Sequence, residues 1–320
     1  MEKPSLWISR RLSAKTEARA CRDYNVILNE DDRLSDSSAI IEMSGKVDAI
    51  LPCHSEIFDA RVIEKLDSRL KVIANHSVGT DHCDLEAFKK KGIVVTNTPD
   101  VLSDATAEIA MLLLLGAARR ASEGDRMVRD GQWNTWSPSF MVGHQVTGKR
   151  LGIIGMGKVG QVMARRARGF DMEVHYFNRT QLSKDLEYNA VYHGSLESLL
   201  SVSDIVTLHC PATPSTRGII NATTLAQLRD GAILVNTARG ALIDESALIG
   251  AIESGKLSAA GLDCFATEPG GNPEFSKHKN IFMLPHIGSA TFETRDAMGF
   301  RALDNLDAFF AGKEPRDRVA

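Results

Sequence analysis

An apolar run, RLGII, leads into Gly155-Met156-Gly157-Lys158-Val159-Gly160, and a helix-like stretch, QVMARRARG, follows at once. A GxGxxG alone is a weak pattern, but between a strand and a helix it admits few folds. The glycines permit a tight turn and let a pyrophosphate approach the N–H groups at a helix N-terminus. The chain is therefore expected to contain a dinucleotide-binding βαβ unit, with Gly155, Gly157, Lys158, Val159 and Gly160 at the phosphates.

The flanking sequence repeats the same rhythm. Before the glycines, β-rich runs at SLWISR (5–10), NVILN (25–29), DAILPC (48–53), KVIANHS (71–77) and GIVVTNTP (92–99) alternate with helix-like segments. From Lys149 a second series begins: RLGIIG (150–155), EVHYFN (173–178), DIVTLHC (204–210), AILVNTA (232–238), AAGLDCF (259–265) and IFMLP (281–285). Alternation of this kind predicts two parallel, doubly wound α/β sheets, the second with six strands. Between them, residues 104–133 have an acidic start, an apolar middle and a basic end, which predicts one long helix with an extension. Trp133, Trp136, Pro138 and Gly143 then break the pattern into a loop, and residues 291–312 are helical again.

In such sheets the adenosine ribose is read about 20 residues after the glycines, at the end of the next strand. Asn178 stands there, 178 − 155 = 23 residues after the first glycine, followed by Arg179 and Thr180. A carboxylate at this place binds a 2′-hydroxyl and repels a 2′-phosphate. Asn178 carries no charge, Arg179 can fork onto a phosphate and Thr180 adds a hydroxyl. The expected cofactor is NADP(H) in preference to NAD(H).

Ligands of open α/β sheets lie beyond the carboxyl ends of the strands. The last three candidate strands each carry a distinctive polar residue there: Arg239, Glu268 and His286. Arg239 can hold a carboxylate and polarise the neighbouring carbonyl, and His286 can pass a proton to the developing alkoxide. A carboxylate such as Glu268 against an imidazole fixes the ring and stabilises its charged form. Together these groups suit hydride reduction of a 2-keto acid.

At these residues the chain resembles the D-isomer-specific 2-hydroxyacid dehydrogenases, through GKRLGIIGMGKVGQ (148–161), LVNTARGALIDESAL (234–248), GLDCFATEP (261–269) and PHIGSAT (285–291). With SVGTDHCDLEAFKKKGIVVTNTP (77–99) the likeness covers nearly the whole chain. The resemblance implies Arg239, Glu268 and His286 as the catalytic set and Asp263 on the nicotinamide carboxamide. It implies Thr106, Cys210, Pro211, Thr216, Thr237, Ala238, Arg239, His286 and Gly288 along the cofactor. The substrate would meet backbone N–H groups of Val78 and Gly79 as well as Arg239 and His286. It further implies a flavodoxin-like substrate domain at 1–102 and 290–320, a Rossmann domain at 103–289 with a bridging, dimerising segment at 104–146, and a cleft between them. ARRASEGDRMVRDGQWNTWSP with GMGKVG and NRT is similar to the NADPH-preferring glyoxylate/hydroxypyruvate reductases of that family, usually homodimers, in which Trp136 would reach the partner's active site.

Composition narrows the alternatives. A net charge of −3 argues against a general nucleic-acid binder, and the pairs Arg10-Arg11, Arg119-Arg120 and Arg165-Arg166 read as solvated helix faces. The longest apolar stretch, residues 109–118, is too short for a bilayer, and the N-terminal run has no signal-peptide core. Five scattered cysteines without a CxxC suit a reducing compartment, so a cytoplasmic protein is expected. No metal is expected, because His76, Asp81, His82, Cys83 and Asp84 fit no familiar zinc spacing. A bulkier substrate such as phenylpyruvate, or a nicotinamide-sensing role without turnover, remain the competing readings.

Overall fold

The computed structural model describes residues 3–320. It divides into two compact units, one running to Leu102 and taking in Ser289–Ala320, the other Ser103–Gly288. Among the described residues no helix is long and apolar enough to cross a membrane.

The first unit holds β1 (Ser5–Ile8), β2 (Asn25–Leu28), β3 (Ala49–Leu51), β4 (Val72–Ala74) and β5 (Val94–Thr96). They form a wholly parallel sheet in the order β2-β1-β3-β4-β5, the flavodoxin-like winding. β3 and β4 are buried throughout, whereas edge strand β2 alternates exposed and half-buried residues. One apolar layer, with Phe58, Ile63 and Phe88, covers one face, and another, with Leu6, Leu51 and Leu306, covers the other. The second layer includes the helix Phe292–Phe310.

The second unit contains β6 (Arg150–Ile154), β7 (Glu173–Phe177), β8 (Val191–His193), β9 (Ile205–Leu208), β10 (Ala232–Asn236), β11 (Leu257–Leu262) and β12 (Ile281–Met283). The order is β12-β11-β10-β9-β6-β7-β8, again wholly parallel. It is the doubly wound nucleotide order with one strand added beyond the sixth. The reversal of winding falls between β6 and β9, so the glycine loop that follows β6 opens at the switch point.

Three expectations needed correction. The sheet has seven strands, not six, because VYH at 191–193 is a strand. Three residues are too few to show a period of two. β8 is secured instead by Tyr176 against Tyr192 and by His175 Nδ1 meeting His193 Nε2 at 3.0 Å. The long helix over 104–133 is two helices, Ser103–Ala118 and Ala121–Arg129, parted at Arg120 with φ 57°. The Ala118 carbonyl that would continue the first helix accepts the His144 N–H (2.8 Å) instead. Arg10 and Arg11 lie in a loop, not on a helix, and bond Asp32 and Glu17.

The first unit has a buried ionic network near its last residues. Arg301 forks onto Asp317 (2.5 and 2.7 Å), and Asn305 donates to Asp317 (3.0 Å) and to the carbonyl of Asn97 (3.3 Å). Burial alone would raise the Asp317 carboxyl, but the bonds from Arg301 and Asn305 outweigh it and hold the group below its ordinary value. Removing one partner leaves a buried charge uncompensated, so Asp317→Ala should lose about 3 kcal/mol of stability at neutral pH. A depressed carboxyl contributes fully above its unfolded value of about 3.9 and loses that contribution as pH falls through the folded value. Urea denaturation of wild type and variant at neutral pH and at about pH 3 should therefore give converging stabilities at the acid end.

Candidate active site

The glycine loop is shaped by contacts that exclude side chains. Gly155 has φ 97°, and a Cβ there would sit 2.4 Å from the backbone nitrogen of Cys210. A Cβ on Gly160 would sit 2.4 Å from the Gly155 carbonyl oxygen. Gly157 caps the helix Lys158–Ala167 with no side-chain hydrogen bond and has nothing within 4 Å of its would-be Cβ. A helix N-terminus without a side-chain cap, with open space beside it, suits an anionic diphosphate. Lys158 is exposed and Val159 half-buried on its first turn.

Asn178 follows β7 and turns its side chain back to this loop, where Oδ1 accepts the Met156 N–H at 2.7 Å. Its amide nitrogen consequently faces the other way as a donor. Arg179 and Thr180 are exposed beside it. Beyond β9, Cys210 packs under the glycine loop, and burial pushes its thiol up to about 11. Thr216 donates to the Pro211 carbonyl (2.6 Å) and closes the loop that follows.

Three further strand ends meet on the other side of the switch point. Asn236, the last residue of β10, is fully buried. Its Oδ1 accepts the Ala238 N–H (2.9 Å) and its Nδ2 donates to the Arg239 carbonyl (2.8 Å), which fixes the Thr237–Arg239 turn. Thr237 is buried with its hydroxyl 3.3 Å from His209 Nδ1, and desolvation pushes that imidazole down to about 3, so it is neutral. Arg239 is half-buried, with Nη1 on the Ala238 carbonyl at 2.7 Å. The next residue, Gly240, lies so close to the loop after β11 that a Cβ would come within 1.9 Å of the Phe265 carbonyl carbon.

From that loop Glu268 accepts the Phe265 N–H through Oε1 (2.8 Å) and meets His286 Nδ1 through Oε2 (2.5 Å). Both side chains are about a quarter exposed. His286 has φ 52°. Its turn is anchored by the fully buried Asp263, whose two oxygens accept the N–H groups of Ile287 and Gly288 (2.8 Å each). Burial raises the Asp263 carboxyl above its ordinary value, more than those N–H groups lower it. Thr106 is buried against Gly288. The second unit thus brings Arg239, Glu268, His286 and Asp263 into one chain of contacts.

Val78 and Gly79 belong to the first unit, in the loop after β4. The Ser77 carbonyl accepts the Thr98 N–H (3.0 Å), the Val78 carbonyl accepts Asn97 Nδ2 (2.9 Å), and the Gly79 carbonyl accepts Asn75 Nδ2 (3.1 Å). In a planar trans peptide the N–H points opposite to the preceding C=O. The N–H groups of Val78 and Gly79 are therefore both turned away from Asn97 and Thr98. Near this loop Asp84 caps a helix, His82 Nε2 meets Asn75 Oδ1 at 3.0 Å, and burial pushes the Cys83 thiol up to about 12. Trp136 stands 74% exposed on the loop after the second helix of its unit.

Residues 111–288 match the family model for the D-isomer specific 2-hydroxyacid dehydrogenase, NAD binding domain. A glycerate dehydrogenase of Hyphomicrobium methylovorum is 44% identical over 98% of this chain and 98% of its own. The chain belongs to the D-isomer-specific 2-hydroxyacid dehydrogenases. A glyoxylate reductase of Thermococcus litoralis is 39% identical over 99% of this chain and 97% of its own. Among solved structures, an NADPH-dependent glyoxylate/hydroxypyruvate reductase of Sinorhizobium meliloti, in complex with NADP and malonate, matches with a TM-score of 0.88 at 29% identity, over 100% of this chain and 97% of that one.

Asn236 escaped the sequence reading, although a polar residue closing an apolar strand was a visible signal. Its role in this dehydrogenase is to hold the arginine turn. Asp263 has a comparable anchoring role for the His286 turn. Asp263→Asn keeps one acceptor but sets an NH₂ against the other N–H. It should cost about 2 kcal/mol and lower turnover, both measurable by urea denaturation and initial rates on the same preparation.

Proposed function

We propose that this dehydrogenase uses NADPH to reduce a small 2-keto acid, glyoxylate or hydroxypyruvate, to the D-2-hydroxy acid. The observation that carries the reading is the His286–Glu268 pair (2.5 Å) at the strand ends, beside the arginine turn. Glu268 orients the ring through Nδ1, which leaves Nε2 to hold the proton that goes to the carbonyl oxygen. Arg239 takes the substrate carboxylate and draws electron density from the neighbouring carbonyl. The glycine loop and the uncapped helix end fit the cofactor's phosphates, and the nicotinamide supplies the hydride when bound.

The substrate class is supported by the glycerate and glyoxylate names of relatives that span nearly the whole chain. The preference for NADPH rests on Arg179 and Thr180 following a neutral Asn178, and on an NADPH-dependent neighbour of the same fold. Homodimerisation belongs to the same proposal. Leu112, Val128, Trp133, Trp136 and Val142 are exposed apolar side chains along residues 112–142, which suits an interface there, and Trp136 is the side chain offered to a partner's site. Five free thiols suit a reducing cytoplasm.

Initial rates of NADPH and NADH oxidation with glyoxylate, hydroxypyruvate, pyruvate and phenylpyruvate test the proposal directly. Fast NADPH oxidation with the first two is expected. Preference for phenylpyruvate would replace the substrate, and tight NADPH binding without any turnover would make the protein a sensor. His286→Ala should lose roughly 10²- to 10⁴-fold in kcat while still binding NADPH. Arg179→Ala should weaken NADPH binding roughly 10- to 100-fold and leave NADH nearly unchanged, as fluorescence titration would report.

A further inference from the structure

Glu268 rides on a loop that has reason to be mobile. Residues 266–272 carry Gly270 at φ 114° and Gly271 at φ 69°, and most of the loop is exposed. Glycines widen the range of backbone states open to such a segment. Nevertheless the carboxylate must meet His286 within hydrogen-bond distance if the proton is to be delivered along one line. Something outside the loop has to hold it.

We infer that Glu245 is the positioning residue for the Glu268–His286 pair. Glu245 opens the helix Glu245–Glu253, but the cap of that helix is Asp244, which accepts the Ser246 and Ala247 N–H groups (3.0 and 3.1 Å). The Glu245 carboxylate leaves its own helix. Its Oε1 accepts the Ala266 N–H (2.8 Å) and its Oε2 accepts Asn272 Nδ2 (3.0 Å). One carboxylate therefore ties down both ends of the loop, with Glu268 between them.

The attachment at Ala266 is adjacent to the functional pair. Phe265 and Ala266 offer consecutive N–H groups, the first to Glu268 Oε1 and the second to Glu245 Oε1. The two peptides share the Phe265 Cα, so releasing Ala266 loosens the segment that carries both the Phe265 N–H and, two residues further on, the Glu268 carboxylate that meets His286. At the other end Asn272 uses Oδ1 to cap the turn Pro273–Lys277 (3.0 Å to the Glu274 N–H), so its amide plane is fixed and Nδ2 can face only one way. Glu245 touches neither the proton nor the substrate and acts through the backbone of another residue.

The inference rests on the reductase function proposed above, and its test keeps the two apart. Glu245→Ala and Glu245→Gln would be compared with wild type for kcat, KM, NADPH affinity, melting temperature and solvent deuterium isotope effect. Glu245→Ala should lower kcat about 10- to 100-fold, because small misplacements of a proton donor carry large rate penalties. KM and NADPH affinity should stay within about twofold, and the solvent isotope effect on kcat should rise as proton delivery slows. Glu245→Gln keeps a carbonyl oxygen for the Ala266 N–H but sets an NH₂ against Asn272 Nδ2, so it should restore kcat in part, above the level of Glu245→Ala. An unchanged kcat in Glu245→Ala would overturn the inference. So would a loss that follows the melting temperature and NADPH affinity and is not rescued by glutamine. Absence of turnover in the wild-type protein would overturn the proposed function, and this inference with it.

Discussion

Backbone meeting backbone at Gly240 and Phe265 is the constraint from which the site is built. With no space for even a methyl group, the turn after β10 and the loop after β11 lie in van der Waals contact. Parallel winding already sends all seven carboxyl ends to one rim. The close approach at Gly240 does what winding alone cannot, holding two neighbouring strand ends in fixed register, as the proposed site requires. Arg239 is then one residue from the contact on one side, and the Phe265 N–H that orients Glu268 is at the contact on the other. A parallel sheet keeps neighbouring strands ≈ 4.8 Å apart, which by itself leaves side chains at successive ends only loosely related.

Each polar group is fixed through the backbone of the residue next to it. Asn236 holds the arginine turn through Ala238 N–H and Arg239 C=O, and Asp263 holds the histidine turn through two consecutive N–H groups. In the first unit Thr98 and Asn97 hold the Ser77 and Val78 carbonyls and so turn the Val78 and Gly79 N–H groups away from themselves. Asn97 also receives Asn305 on its carbonyl, so the buried Arg301–Asp317 network is one bond removed from the Val78 loop.

How much of this was legible in the sequence depended on the range of the forces involved. Strand–helix alternation is local, and it revealed both parallel sheets and eleven of the strands at close to their observed positions. β8 was missed because a three-residue edge strand is secured by ring contacts and a histidine pair with β7, not by its own pattern. The split of the long helix at Arg120 was invisible because its cause, His144 claiming the Ala118 carbonyl, lies 26 residues further along. The motif residues were legible as types at spacings, but not what holds them. Nothing in LIDES distinguishes a glutamate that favours its own helix dipole from one that fastens another loop.

At the adenosine end of the proposed cofactor site, one side chain separates two tasks that a carboxylate would combine. A glycine loop needs an acceptor from the end of β7, and Asn178 supplies it with Oδ1 on the Met156 N–H. Aspartate could make that same bond with one oxygen, but its second oxygen would face the ribose as an acceptor carrying charge. Asparagine presents an NH₂ there, a donor, and adds no negative potential next to Arg179. The geometry of the phosphate loop is thereby made independent of the charge offered to the ribose. Arg179 then has no neighbouring carboxylate at position 178 to pair with, and a guanidinium left exposed to solvent loses little by turning to a phosphate. Loop geometry constrains position 178 to an acceptor of one size, while electrostatics alone decides between an amide and an acid.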